Sequence, residues 1–276
     1  MVLNVDFQRA FDLLMTATGV LVTAGAGMGV DSGLPDFRGN QGFWKAYPAL
    51  AEAGLEFERI ASPRSFVDDP RKAWGFYGHR LNLYRRTTPH AGFGILEAFG
   101  RSRPDGYFVF TSNVDGHFQK AGFDLNRLCE VHGSLLRLQC FRPCCNEVWS
   151  AEDFQPEVDE ARCELLSPLP RCPNCGDIAR PNVLMFEDRA YVADRSDIES
   201  SRLDLWRKSV SKLVILEFGA GTTVTTIRSV GDWWEYPLVR VNPREYRVHG
   251  LSSVGVASGA LEFMTSYNEY LASSLS

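Results

Sequence analysis

Apolar positions along the chain follow two rhythms. Residues 7–18 (FQRAFDLLMTAT) place Phe, Ala, Leu and Met near helical spacing and predict a helix. Val20, Leu21 and Val22 then form a short unbroken apolar run, which predicts a buried strand over 19–24 that ends at glycines 25, 27 and 29. Comparable runs recur at 106–116 (GYFVFTSNVDG), 128–134 (LCEVHGS), 212–221 (KLVILEFGAG) and 237–243 (PLVRVNP), each closing in a glycine-rich or polar turn. Residues 43–87, rich in aromatic and long side chains, predict a helical insert, and 260–275 predicts a closing helix. No internal repeat or low-complexity linker interrupts the pattern. Strands alternating with helical segments imply an α/β fold built on a parallel sheet with helices on both faces. Ligands of such sheets sit at the carboxyl ends of the strands. Here those ends read GAGMG, TSNVDG, VHGS, EFGAG and VNP, five loops that would converge on one crevice.

Composition narrows the partners. The 276 residues suffice for one large domain or two small ones, and 45% hydrophobic with 23% charged content is ordinary for a chain with a real core. The net charge of −5 gives no electrostatic reason to bind nucleic acid or an anionic membrane. The start, MVLNVDFQRAF, has Asp6 early and no secretory pattern, and no apolar run approaches the roughly 20 residues that cross a bilayer. The expectation is a soluble, cytoplasmic protein with no nucleic-acid or membrane partner.

The seven cysteines change the picture, because most of them fall between Cys140 and Cys175. Outside a secreted context that clustering favours metal over disulfides. Cys172-Pro-Asn-Cys175 is a paired knuckle. Upstream, Cys140 is followed by Cys144 and Cys145 at spacings that both suit four thiolates around a tetrahedral zinc. The expected set is Cys140, Cys144, Cys172 and Cys175, with Cys145 the rival of Cys144. Cys129 reads as an inert strand residue and Cys163 as an unpaired loop residue.

Gly25-Ala26-Gly27 opens like a dinucleotide fingerprint. Val30 stands where its third glycine belongs, and no acidic residue follows a second strand about 20 residues on, so an ordinary dehydrogenase is unlike this pattern. His132 closes an apolar run before Gly133-Ser134 and suits general-base work near neutrality. His79, His90, His117 and His249 sit in no comparable motif.

Taken together, GAGMG with Asp36-Phe37-Arg38, Asn113-x-Asp115, His132-Gly133, the paired cysteines, RPNVLMF (180–186), GAGTTV (219–224) and VN (241–242) resemble the sirtuins, the NAD-dependent protein deacylases. The likeness covers nearly the whole chain, in the family's order. It implies a Rossmann-like NAD domain formed by 1–40, 88–138 and 181–276, and a smaller module made of a helical insert (41–87) and a zinc ribbon (139–180). It implies that NAD is a co-substrate held by Gly25, Ala26, Gly27, Asp36, Phe37, Arg38, Ser112, Asn113, Asp115, Gly219, Gly221, Thr222 and Asn242. Phe37 would cover the nicotinamide–ribose bond and keep stray water out. His132 would take a proton from a ribose hydroxyl, with Asn113 beside it, and one structural zinc would sit in the ribbon. An acylated protein would be the substrate, passing along Val183 and Phe186.

Three positions depart from the family's usual pattern. Ser112 replaces Gln, Gly219-Ala220-Gly221 replaces Gly-Thr-Ser, and Phe186-Glu187-Asp188 replaces Phe-Gly-Glu. TSNVDG and GAGTTV are similar to a divergent microbial branch, the macrodomain-linked sirtuins, which act as protein ADP-ribosyltransferases and lack the histidine that this chain keeps. Tyr77 and Arg80, at i and i+3 of an expected helix, share one face. They resemble the Tyr-x-x-Arg pair of sirtuins that remove succinyl, malonyl and glutaryl groups. The expected activity is therefore NAD-dependent lysine deacylation with a preference for acidic acyl groups. The alternatives are protein ADP-ribosyl transfer and an NAD-responsive binding module without turnover.

Overall fold

The computed structural model describes residues 5–36, 43–45, 47–52, 54–250 and 252–274. Its centre is a six-stranded sheet of β1 (Gly19–Ala24), β2 (Gly106–Thr111), β3 (Leu128–Glu130), β9 (Leu213–Phe218), β10 (Leu238–Val241) and β11 (Val254–Val256). Their order is β3-β2-β1-β9-β10-β11, and every pair is parallel. The chain therefore builds outward from β1 in one direction, then returns and builds from β9 in the other. The boundary between β1 and β9 is the switch point where such sheets open a crevice. Register sharpens it: Ala24 lies opposite both Thr111 and Phe218, so three neighbouring strands end level and deliver their loops at one height.

Both faces of the sheet are covered. Helices Val5–Thr16, Ala91–Arg101 and Ala260–Ser274 pack Phe11, Phe93, Phe263 and Tyr267 against one face. Helices Asp194–Ser209 and Thr226–Trp233 cover the other, over Leu21, Phe108 and Ile215. The first helix starts and stops two residues earlier than its apolar spacing predicts. Among the described residues, no helix is long and apolar enough to cross a membrane.

The smaller module joins helices Pro48–Glu52, Phe57–Ile60, Pro63–Asp68 and Pro70–Arg86 to two small antiparallel sheets. One has β4 (Gly133–Cys140) between β5 (Val148–Ser150) and β8 (Ala179–Val183); the other pairs β6 (Val158–Asp159) with β7 (Glu164–Leu165). Phe43, Leu50, Trp74, Phe76, Tyr77, Leu138 and Leu165 form one core, so the helical and cysteine-rich parts are a single body. Asp69 caps the long helix by accepting from the N–H groups of Arg71 and Lys72 at 3.1 and 3.0 Å.

Two expectations are corrected here. The run 128–134 is not one strand: β3 stops at Glu130 and β4 starts at Gly133 in a different sheet. Gly133 has φ +78°, and a Cβ there would lie 2.1 Å from the Asn182 carbonyl oxygen, so only glycine can turn this corner. The ribbon also reaches further than 139–180. β4 and β8 pair with each other rather than with the central sheet, which moves residues 133–138 and 181–183 into the smaller module. The chain thus enters and leaves that module twice.

Candidate active site

Loops from five adjacent strands meet around the switch point. After β1, the Gly25 N–H donates to the Phe218 carbonyl (2.9 Å) and the Gly27 N–H to the Gly219 carbonyl (3.1 Å). The glycines make this approach possible. A Cβ on Gly27 would fall 2.6 Å from the Gly219 Cα, and one on Gly219 (φ +58°) would fall 2.3 Å from the Gly27 Cα. The two loops interlock backbone to backbone.

After β2, the Asn113 side-chain amide donates to the Gly25 carbonyl at 3.0 Å, and Thr111 Oγ1 donates to the Ala24 carbonyl at 2.8 Å. Asp115 accepts from the His117 N–H at 2.9 Å. Burial pushes the Asp115 carboxyl up to about 6, against the opposing pull of that N–H and of the Arg80 charge. His117 is fully buried and meets the Phe93 ring edge-on, and neither ring nitrogen has a hydrogen-bond partner among the described residues; burial pulls it down to about 4, so it stays neutral. Ser112 follows the strand directly and spends its N–H on the Ala24 carbonyl.

His132 occupies the β3–β4 corner. Its Nε2 lies 3.1 Å from the hydroxyl of Thr226, the first residue of its helix, and its carbonyl accepts from the Leu184 N–H at 2.9 Å. Burial holds the imidazole below its ordinary value, which leaves a neutral base at neutral pH.

The remaining expected cofactor residues divide. Ala26 and Gly221 lie on the interlocked loops. The hydroxyl of Thr222 donates to Glu245 (2.9 Å) on the surface. Asn242 is wholly buried and spends its amide on the protein. It donates to the Ala220 carbonyl and accepts from the N–H groups of Arg244 and Glu245, so it braces the Gly219–Gly221 loop. Asp36 ends a described segment; Phe37 and Arg38 lie outside the described residues.

The second module supplies the facing wall. Tyr77 and Arg80 are both buried on one face of Pro70–Arg86. Tyr77 stacks on Phe66 (5.8 Å between centroids, 20° between planes). Arg80 donates through Nε and Nη2 to the Tyr84 hydroxyl (3.0 and 2.6 Å), lies over the rings of Phe76 and Tyr84, and lends its charge to Asp115. Val183 is paired with Gly133, and Phe186 meets Phe57 edge-on while its N–H donates to the Ala61 carbonyl. Glu187, where the family pattern has glycine, takes the left-handed conformation (φ +56°) that such a glycine would supply. The neighbouring Asp188 is fixed by a buried ion pair with Arg180 at 2.6 Å.

In the ribbon, the sulfurs of Cys140, Cys144, Cys172 and Cys175 all lie within 4.8 Å of one another, and all four are free thiols. The Cys140–Cys175 and Cys144–Cys172 separations are 3.6 and 3.7 Å. Sulfurs bound at about 2.3 Å to a tetrahedral zinc are about 3.8 Å apart, so the cluster has the right size for that ion. Cys145 is outside the cluster and takes a contact from the Asn174 amide at 3.2 Å.

Sequence reasoning missed Thr226 and Arg228. Arg228 donates to the Ala220 and Glu245 carbonyls (2.8 and 2.9 Å) and locks two crevice loops together. Neither residue sits in a motif, and only the helix that follows β9 brings them to the site.

Sheet order, switch point and level loops define a Rossmann-type protein with a second module closing over its crevice. The chain belongs to the Sir2 family, whose sequence pattern matches residues 25–203. It is similar to the NAD-dependent protein deacylase of Aquifex aeolicus (26% identical over 257 residues, covering 93% of this chain and 97% of the relative). It is also similar to that of Thermococcus kodakarensis (31% over 206 residues, covering 69% and 71%). Among solved structures it shares its fold with a Sir2 homologue in complex with NAD, at a TM-score of 0.71 and 21% identity, covering 98% of this chain and 95% of that one. A mutant Sir2 homologue bound to ADP-ribose gives a TM-score of 0.73 at 21% identity, with 97% of each chain covered.

Proposed function

We propose that the chain removes acyl groups from protein lysines at the expense of NAD, and that it prefers acyl groups ending in a carboxylate. Family membership and relatives named as NAD-dependent protein deacylases support the reaction class. The observation that carries it is His132, a half-buried neutral imidazole held by Thr226 at the corner where both modules meet the crevice. In this reading NAD is the second substrate and supplies the electrophilic ribose carbon; nicotinamide and an O-acyl-ADP-ribose leave. Gly25, Ala26, Gly27, Gly219, Gly221 and Thr222 line its phosphate side, and Ser112, Asn113 and Asp115 its nicotinamide-ribose side. Asn242 acts by holding the loop. The family likeness adds Asp36, Phe37 and Arg38 to the residues that contact NAD. His132 accepts a ribose-hydroxyl proton. Cys140, Cys144, Cys172 and Cys175 hold one zinc, which closes the ribbon and takes no part in the chemistry.

The acyl preference rests on Arg80 and Tyr77. A guanidinium held in an aromatic enclosure beside Asp115 offers a planar fork matched to a carboxylate, in a setting where charge-assisted bonds are strong. Incubation with NAD and paired succinyl- and acetyl-lysine peptides, read by mass spectrometry, tests both levels. Deacylated peptide is the expected product, faster from succinyl-lysine. His132→Ala should cut the rate about 10²–10⁴-fold. Arg80→Met should lower kcat/KM for the succinyl peptide by about tenfold or more and leave the acetyl peptide nearly unchanged. Peptide that gains ADP-ribose would favour the transferase reading, absence of turnover the binding module, and an acetyl preference would remove Arg80 from the acyl site.

A further inference from the structure

A cleft of about 470 Å³ opens along β3, the outer strand of the sheet, between helix Asp194–Ser209 and the β4–β5 pair of the smaller module. It continues into a lobe of about 350 Å³ that shares Arg137, Arg195, Glu199 and Arg202. None of the residues named above in the crevice lines either part, although Glu130 and Ser134 of the cleft flank the His132 corner. Its size is that of a small-ligand site.

Four arginines and four carboxylates line the two parts, and they differ in how they are bonded. Glu130 and Glu199 both accept from Arg195 Nη1 (2.9 and 2.7 Å), and Glu199 also accepts from the Glu130 N–H. Asp194 accepts from the Asn146 amide and stands in the first turn of its helix. Glu152 faces Arg85, which donates to the Ala151 and Phe154 carbonyls. Glu130, Glu199 and Asp194 thus each hold a hydrogen-bonded partner, and Glu152 has only the nearby Arg85 charge. Arg137 and Arg202 are exposed, and among the described residues neither side chain forms a hydrogen bond or a salt bridge, although the Arg202 charge reaches Glu199. Arg195 adds a second sign of a missing acceptor: its Nε and Nη2 are buried and find no partner.

Backbone irregularity aims these groups. On β4, Ser134 pairs with Asn182 and Leu138 with Pro181, so residues 135–137 have no counterpart on β8. Regular alternation would send Leu136 and Arg137 to opposite faces, yet both line the cleft. On the opposite wall Arg195, Glu199 and Arg202 follow the i, i+4, i+7 spacing of a single helical face.

We propose that this cleft binds a small multivalent anion, with Arg137 and Arg202 as its primary contacts and Arg195 behind them. Phosphate-bearing and polycarboxylate ligands share that chemistry. Calorimetric titration of the intact protein with pyrophosphate and, separately, citrate, at low ionic strength and with or without saturating NAD, tests it and separates the two sources. The expected result is saturable binding of at least one probe that survives NAD. Arg137→Gln and Arg202→Gln should each weaken it about tenfold or more. Both side chains are exposed and make no hydrogen bond or salt bridge among the described residues, so thermal unfolding of the variants should stay close to the parent. The proposal is overturned if neither probe saturates, if the double variant binds as the parent does, or if NAD abolishes binding.

Discussion

Asp115 carries a cost that can be measured. Its carboxyl titrates near 6 in the folded chain against an ordinary value of 3.8, because burial outweighs the His117 N–H and the Arg80 charge. Below about pH 4 both folded and unfolded chains hold the proton and the group is neutral to stability. Between about pH 4 and 6 the unfolded chain releases it first, so stability falls as pH rises, by up to about 3 kcal/mol. Asp115→Asn should therefore raise the unfolding free energy at pH 7 and lose that advantage below pH 4, while NAD turnover drops. Chemical denaturation at both pH values checks this; an equal effect at the two would refute the assignment. His132 works in the opposite sense for activity: its lowered value predicts a kcat/KM profile whose acid limb lies below the ordinary histidine range. His132 and Asp115 were both legible in the sequence, because each sits in a short motif that closes an apolar run. Thr226 was not, since nothing in its surroundings distinguishes one threonine among the run GTTVTT until the helix is folded against His132.

Among elements, the interlock of the β1 and β9 loops is the most specific. Gly27 and Gly219 face each other so closely that either Cβ must spread the same gap. Gly27→Ala and Gly219→Ala should each destabilise by about 1–3 kcal/mol, and the double variant should cost clearly less than their sum, since the gap is opened once. A denaturant double-mutant cycle measures this; strict additivity would mean that the loops do not share the contact. The strands that end in these loops were readable from apolar runs with glycine or polar ends. Helix Asp194–Ser209 was not singled out, because it buries only Ser196, Glu199 and Leu203 and so presents no apolar stripe. The corner at 131–132 escaped for another reason: an apolar run gives no sign of a change of sheet, and the deciding contact of Gly133 is with Asn182, 49 residues further along the chain.

For the molecule as a whole, the cysteine cluster ties the far end of β4 to the approach to β8. Metal analysis should find about one zinc per chain. Cys144→Ser should lose it and Cys145→Ser keep it, as the sulfur geometry implies. Chelation should lower the unfolding temperature and loosen the smaller module while NAD binding persists; retention of full zinc by Cys144→Ser would discard the ligand set.

The double entry of the chain into the smaller module has a mechanical consequence. A body attached by two adjacent passes can swing like a door on one pin. This one is joined to the sheet domain by four crossings of the chain, near residues 36, 88, 132 and 190, so a displacement at any one crossing is opposed by the other three. One crossing is the two-residue link between β3 and β4, which contains His132. In the proposed reaction the base therefore stands on the link itself, and its contact with the Thr226 hydroxyl ties that link to the helix that follows β9.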